Sequence, residues 1–247
     1  MSKPLSRIAA AIALTLGLFA SSALAQSWPS GPMIDANANV NTMILNQQVQ
    51  ADIMAAHQVR QASKAAAEGS TTSVSTGSDF SYRPKASISE AMEQKFLANL
   101  RAIDESMALS AETDLQDRDM IERFEADVGP YGLELNDVAD AMTAYWVVSW
   151  MAANQEDLPE KSEVQAARTQ VRTQLAGNAA FASADNDERQ QLAETYIYET
   201  MWTITLRSSA KSDAEREQIA AAAQAQARKQ GLDLRGMQLT SRGFVRG

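Results

Sequence analysis

The chain of 247 residues contains no cysteine. Thiol nucleophiles, redox pairs and thiolate-bound zinc are therefore excluded, and no disulfide braces the fold. Stability has to come from burial, which a chain of this size can supply. Histidine is almost as scarce, since His57 is the only one. A Ser-His-Asp triad or a His-rich metal site would have to be built around it. It stands in a loosely patterned, Gln-rich stretch apart from every other candidate residue, so a solvated surface role is expected. Positive charge is short too: 22 Lys and Arg face 31 Asp and Glu, for a net charge of −9. That balance argues against nucleic acid or an anionic membrane as partner, because both need clustered cations. No Walker A or G-x-G-x-x-G pattern occurs. "DLQDRD", Asp114 to Asp119, lacks the Gly and the spaced Glu of an EF-hand, so no metal is expected there. No cofactor is indicated.

Long apolar runs are missing after the first one. "MSKPLSRIAAAIALTLGLFASSALAQ" reads as a secretory leader. Lys3 and Arg7 form its basic region, Ile8 to Ala20 its apolar core, and "ALAQ" its small-residue cleavage site, which places the cut between Ala25 and Gln26. The expected localisation is periplasmic or secreted, with no transmembrane segment once residues 1–25 are removed. Residues 26–67 form an N-terminal segment, mostly helical, with a thin stripe of Val40, Ile44, Ala51 and Met54. It could pair with another protein or a second copy of the chain. Residues 68–81 are a Ser/Thr/Gly linker. Residues 82–247 then read as one bundle domain.

Strand signals are nearly absent, whereas helix punctuation recurs. "SISE" places Ser87 three residues before Glu90, a capping-box pattern. Met92, Phe96, Leu100, Ile103 and Met107 follow at helical spacing. A second helix is expected over 116–128, stopped by Gly129 and Pro130. A third covers "NDVADAMTAYWVVSWMAAN", with Asn136 or Asp137 as its N-cap. A fourth covers 162–176, ended by Gly177. A fifth opens at Asp185 with Glu188 three residues on, and a sixth at Ser212 with Glu215. The fold class is therefore all-α, a single bundle of five to six helices. "GLDLRGMQLTSRGFVRG" is too apolar for a free tail. It reads as a strap packed back on the bundle, with Thr240 to Gly243 turning.

The third helix carries no charge between Asp140 and Asn154 and is apolar on all sides. It is shorter than the roughly 20 apolar residues a membrane span needs, and a helix of that kind is a core helix. Tyr145, Trp146 and Trp150 make it the expected packing centre. Asp140 stands one turn in, where a carboxylate needs a partner. An arginine or a tyrosine hydroxyl elsewhere in the bundle would serve.

Four stretches, taken in order, are "FSYRP" from Phe80, "GLELNDVADAMTAYWVVSW" around Asp140, "QQLAETYIY" from Gln190 and "GLDLRGMQLTSRGF" from Gly231. Together they resemble the DUF6683 family of uncharacterised exported bacterial proteins, with the Gln-rich N-terminal segment outside the resemblance. The resemblance implies an exported helical domain and supplies no catalytic residue. Its motif positions are Asp137, Asp140, Tyr145, Trp150, Glu194, Gly243 and Phe244.

Three functions are expected in descending order. The first is a non-enzymatic interaction or structural module of the bacterial envelope. The second is a small-molecule binder with an apolar pocket near Trp146, Trp150 and Trp202. The third is a cell-wall hydrolase using Asp140 and Glu194 as a carboxylate pair.

Overall fold

The structure is a computed structural model that describes residues 79–103, 105–117, 120–229 and 232–247. The expected leader, the N-terminal helix, His57 and most of the linker lie outside the described residues.

The bundle is built around one helix, α4 (Val138–Asn154), which is buried along its length except at Trp150 and Asn154. Its neighbours are α5 (Lys161–Ala176), α7 (Asn186–Ser209) and α8 (Asp213–Lys229), with the most extensive contact made to α7. This is the arrangement that an uncharged, all-round apolar helix requires. Burial of Trp146, 2% exposed, contributes on the order of 2–3 kcal/mol. Outside this set, α1 (Ala86–Ile103) packs on α2 (Glu105–Asp117) and on α7. The short α3 (Met120–Val128) sends Met120, Phe124 and Val128 inward at four-residue spacing and also rests on α7. A single turn, α6 (Ala179–Ala182), precedes α7. Among the described residues no helix is long and apolar enough to cross a membrane.

The helix ends follow local chemistry. The Asp137 side chain accepts the Asp140 N–H and caps α4. Asp185 accepts the N–H groups of Asp187 and Glu188, while Glu188 returns to the Asp185 N–H, a complete capping box on α7. The Ser87 box does not form in this way. α1 begins at Ala86, the Ile88 and Ser89 N–H groups bond to the Lys85 carbonyl, and Ser87 lies inside the first turn. The helix expected from 116 starts at Met120, and 105–117 is a helix of its own. α4 ends at Gln155, a non-glycine residue in the left-handed region at φ 56. Its side chain donates to Glu217 of α8 at 2.7 Å.

The C-terminal strap is a two-stranded antiparallel hairpin, β1 (Met237–Thr240) and β2 (Gly243–Arg246), in the register Met237↔Arg246 and Thr240↔Gly243. A 3-10 turn, Leu234–Gly236, leads into it. The hairpin packs on α5 and the turn on α4. Three bonds fasten this segment to α4: Trp150 Nε1 to the Met237 carbonyl at 2.9 Å, Asn154 Nδ2 to the Leu234 carbonyl at 3.0 Å, and Arg235 Nε to the Ala153 carbonyl at 3.0 Å.

Candidate functional site

Most of the motif positions gather in two places, while Tyr145 packs in the core. The first is the N-terminal end of α4. Asp140 is fully buried, and α5 meets it with arginines one turn apart. Arg168 grips it with two bonds, Nε to Oδ1 at 2.7 Å and Nη2 to Oδ2 at 2.6 Å. Arg172 Nη2 adds a bond to Asp140 Oδ1 at 3.2 Å and one to Asp137 Oδ2 at 2.5 Å. The Glu134 N–H completes the set at 2.8 Å. The partner that a buried Asp140 requires is therefore an arginine pair, and their i, i+4 spacing places both on one face of α5.

The segment around "FSYRP" closes this end. Ser81 bridges Asp137, with Tyr82 N–H bonded to the Asn136 carbonyl and Val138 N–H to the Phe80 carbonyl, both at 3.0 Å. The Phe80 ring stacks on Phe181 at 5.8 Å and lies under the Arg172 guanidinium at 5.0 Å. On its other side the segment is held by α7. Asn186 exchanges bonds with the backbone of Arg83, and Gln190 with that of Lys85. Glu194, also buried, accepts from Ser89 Oγ of α1 at 2.7 Å and from Gln190 Nε2 at 2.8 Å. Asp140 bonds to α5 and Glu194 to Ser89 of α1, and both are buried. This does not match the shared open space a glycosidase needs.

Burial raises the affinity of this end for protons. Burial, and then the carboxylates of Glu194 and Asp137, push the Tyr82 hydroxyl far above the usual tyrosine range. Burial first and neighbouring Asp140 second push Asp137 above the usual aspartate range, against bonds from the Asp140 N–H and Arg172. The folded state then holds a proton that the unfolded chain has released. This contribution is full below the ordinary aspartate value of about 4 and is lost as pH rises through the folded value. The stability of the wild-type protein minus that of Asp137→Asn, which keeps a capping oxygen, should shrink as pH rises above about 4. Urea titrations at fixed ionic strength read it. A difference that widens would mean that Arg172 holds Asp137 ionised.

The second place is the hairpin. Gly243 has φ +85, and a Cβ there would stand 2.3 Å from Gln170 Oε1. Gln170 reaches across from α5, accepting the Phe244 N–H at 2.8 Å and donating to the Phe244 carbonyl at 3.1 Å. It pairs with Phe244 as a third strand would, and only glycine leaves it room. The Phe244 ring is buried in the core.

Each tryptophan has packing partners of its own. Trp146 is packed against Tyr145 at 5.1 Å, and Tyr145 against Tyr196 at 5.1 Å. Trp150 lies under the hairpin, and Trp202 meets Phe96 edge-on at 6.0 Å. A cleft of about 670 Å³ opens elsewhere, and none of the three lines it. Its floor is the side of α4 carrying Ala144, Val147, Val148, Met151 and Ala152. At about 3.6 residues per turn, Trp146 and Trp150 fall on the side opposite Val148. The bulky rings fill the core, and the small side chains leave the space. Met201 and Ile204 of α7, Phe124 of α3 and Ile219 of α8 form the walls. The rim carries Leu158, 74% exposed, with Gln155, Asp157, Arg207 and Arg216. Arg207 is half-buried and donates to the Glu156 carbonyl at 2.6 Å. Among the described residues no carboxylate stands within ion-pair distance of it, whereas Arg216 pairs with Asp213. No group of three or more His, Cys, Asp or Glu among the described residues could hold a metal ion.

Sequence reasoning missed Arg168, Gln170 and Arg172, and it missed the cleft. The i, i+4 arginines were the signal for the first. The cleft has none, because space depends on how side chains from four helices meet.

The profile of a family of unknown function, DUF6683, matches residues 3–245. The match reaches back across the Gln-rich segment, beyond the stretch that carried the resemblance. Nothing matches among curated proteins or among solved structures.

Proposed function

We propose that this chain, which belongs to the DUF6683 family of unknown function, is an exported, non-enzymatic helical module that binds an apolar small molecule in the cleft between α4 and α7. The observation that carries this reading is a cleft of about 670 Å³ with an apolar floor and a polar rim at one end. That volume and that lining suit small-molecule sites, which run to about 300–1,000 Å³ with a few placed polar groups. The buried acidic residues work differently. Asp140 is gripped by Arg168 and Arg172, Asp137 caps α4 and bonds to Arg172, and both tie the helices together. Export rests on the leader pattern of residues 1–25.

A neutral apolar dye, N-phenyl-1-naphthylamine, tests the reading on protein isolated from the envelope fraction and sequenced from its N-terminus. The mature chain should begin at Gln26 and brighten the dye saturably at one site. Ile204→Trp, which fills the cleft from a half-buried position, should weaken binding at least about ten-fold with an unchanged circular dichroism spectrum. Absence of saturable binding, or binding indifferent to the filling substitution, would remove the cleft from consideration.

A protein partner is the second reading. Leu158 on the rim favours it, since a large apolar side chain standing clear of the surface suits a contact.

A further inference from the structure

Resting on the cleft as a binding site, we infer that its occupant is a medium-chain fatty acid, held with its carboxylate at Arg207 and its alkyl chain along α4. The cleft is polarised along its length. Gln155, Asp157, Arg207 and Arg216 gather where α4 and α7 end and α8 begins. Ala144, Phe124, Val128 and Leu133 lie toward the other end, where the charged lining residue is the exposed Asp127. From Ala144 to Gln155 the floor runs about 16 Å at 1.5 Å per residue, the reach of a single extended alkyl chain.

Charge selects the head group. Arg207 is the half-buried cation of the rim. Of its five donors, one bonds to the Glu156 carbonyl, and none meets a carboxylate among the described residues. Burial lowers its affinity for protons, with Asp157 acting the other way. A guanidinium fork matches a carboxylate in two parallel bonds and is worth most where water is thin. Asp127 and Asp157 also line the cleft, yet both are exposed, where solvent screens them. Arg216 is already paired with Asp213. One unpaired guanidinium fits a monoanion better than a phosphate. A peptide would bring amides that need partners, and the valine, methionine and alanine floor offers none from its side chains.

Displacement of the neutral dye from the mature protein tests the assignment, using decanoate, dodecanoate, dodecanol and dodecylamine as competitors. Dodecanoate should displace best. Decanoate, two methylenes shorter, should be about fifteen-fold weaker. Arg207→Gln should weaken dodecanoate by about ten- to a hundred-fold and leave dodecanol unchanged. Competition by dodecanol or dodecylamine at least equal to dodecanoate would overturn the inference, as would an Arg207→Gln protein that binds dodecanoate normally. A dye displaced by none of the four would assign the cleft to a bulkier occupant and overturn the fatty acid as well. Failure of the dye itself to bind would instead strike the cleft reading on which this inference rests.

Discussion

Arg168→Met is expected to lower the free energy of unfolding by about 3–5 kcal/mol, the range for removing one member of a buried ion pair. Asp140 has no exposed surface and takes both of its strongest bonds from Arg168. With methionine in place, the carboxylate keeps the longer Arg172 contact and the Glu134 N–H, while water cannot reach it to make up the loss. The Arg168 side chain is 20% exposed, and methionine keeps much of its aliphatic contact. The cost arises at Asp140, and it should fall sharply when Asp140→Asn is added. Urea unfolding of the two single variants and the double variant closes a thermodynamic cycle. A loss below about 1 kcal/mol for Arg168→Met would place the pair among solvent-screened surface bridges, and the account of this end of the bundle would then be wrong.

Gly243→Ala should cost about 2–4 kcal/mol. A residue with a Cβ in the left-handed region loses about 1–2 kcal/mol. The new methyl must also push Gln170 aside, since its Oε1 lies 2.3 Å from the Cβ position. The glutamine can swing away, but it then gives up both bonds to Phe244, each worth about 1 kcal/mol. In a Gln170→Ala background the same substitution should cost only the backbone part. Limited trypsin digestion gives a second readout, because cleavage after Arg242 should accelerate once the hairpin loses its grip on α5. Unchanged digestion and unchanged unfolding of Gly243→Ala would show that the hairpin is not held through Gln170.

Much of the bundle was legible because its determinants are local. Asp137 before an uncharged run, Asp185 with Glu188 three residues on, and Gly177 after a helical stripe each mark a boundary within a few residues. The start of α1 is not where the capping spacing of Ser87 and Glu90 points, because the chain already turns helical at Ala86 against the Lys85 carbonyl. The strap was legible as a turn but not as a hairpin, since two strands of four residues give too little alternation to register a pairing. The buried Asp140 could be inferred and its need for a cation deduced. The choice of Arg168 and Arg172, 28 and 32 positions away, is a long-range fact. The cleft was hidden for the opposite reason. An all-round apolar α4 gives no clue which face meets large neighbours and which meets a gap, and the opening lies behind valine and alanine rather than behind the indoles.

Gln155 carries a consequence for anyone engineering this protein. Glycine would suit its φ of 56 better than glutamine does, so the backbone alone would favour Gln155→Gly. The same exchange would cut the tether from the end of α4 to Glu217 on α8 and slacken the mouth of the cleft. Relief of backbone strain and loss of that tether would then oppose each other at one position, and a library screened there would read their difference.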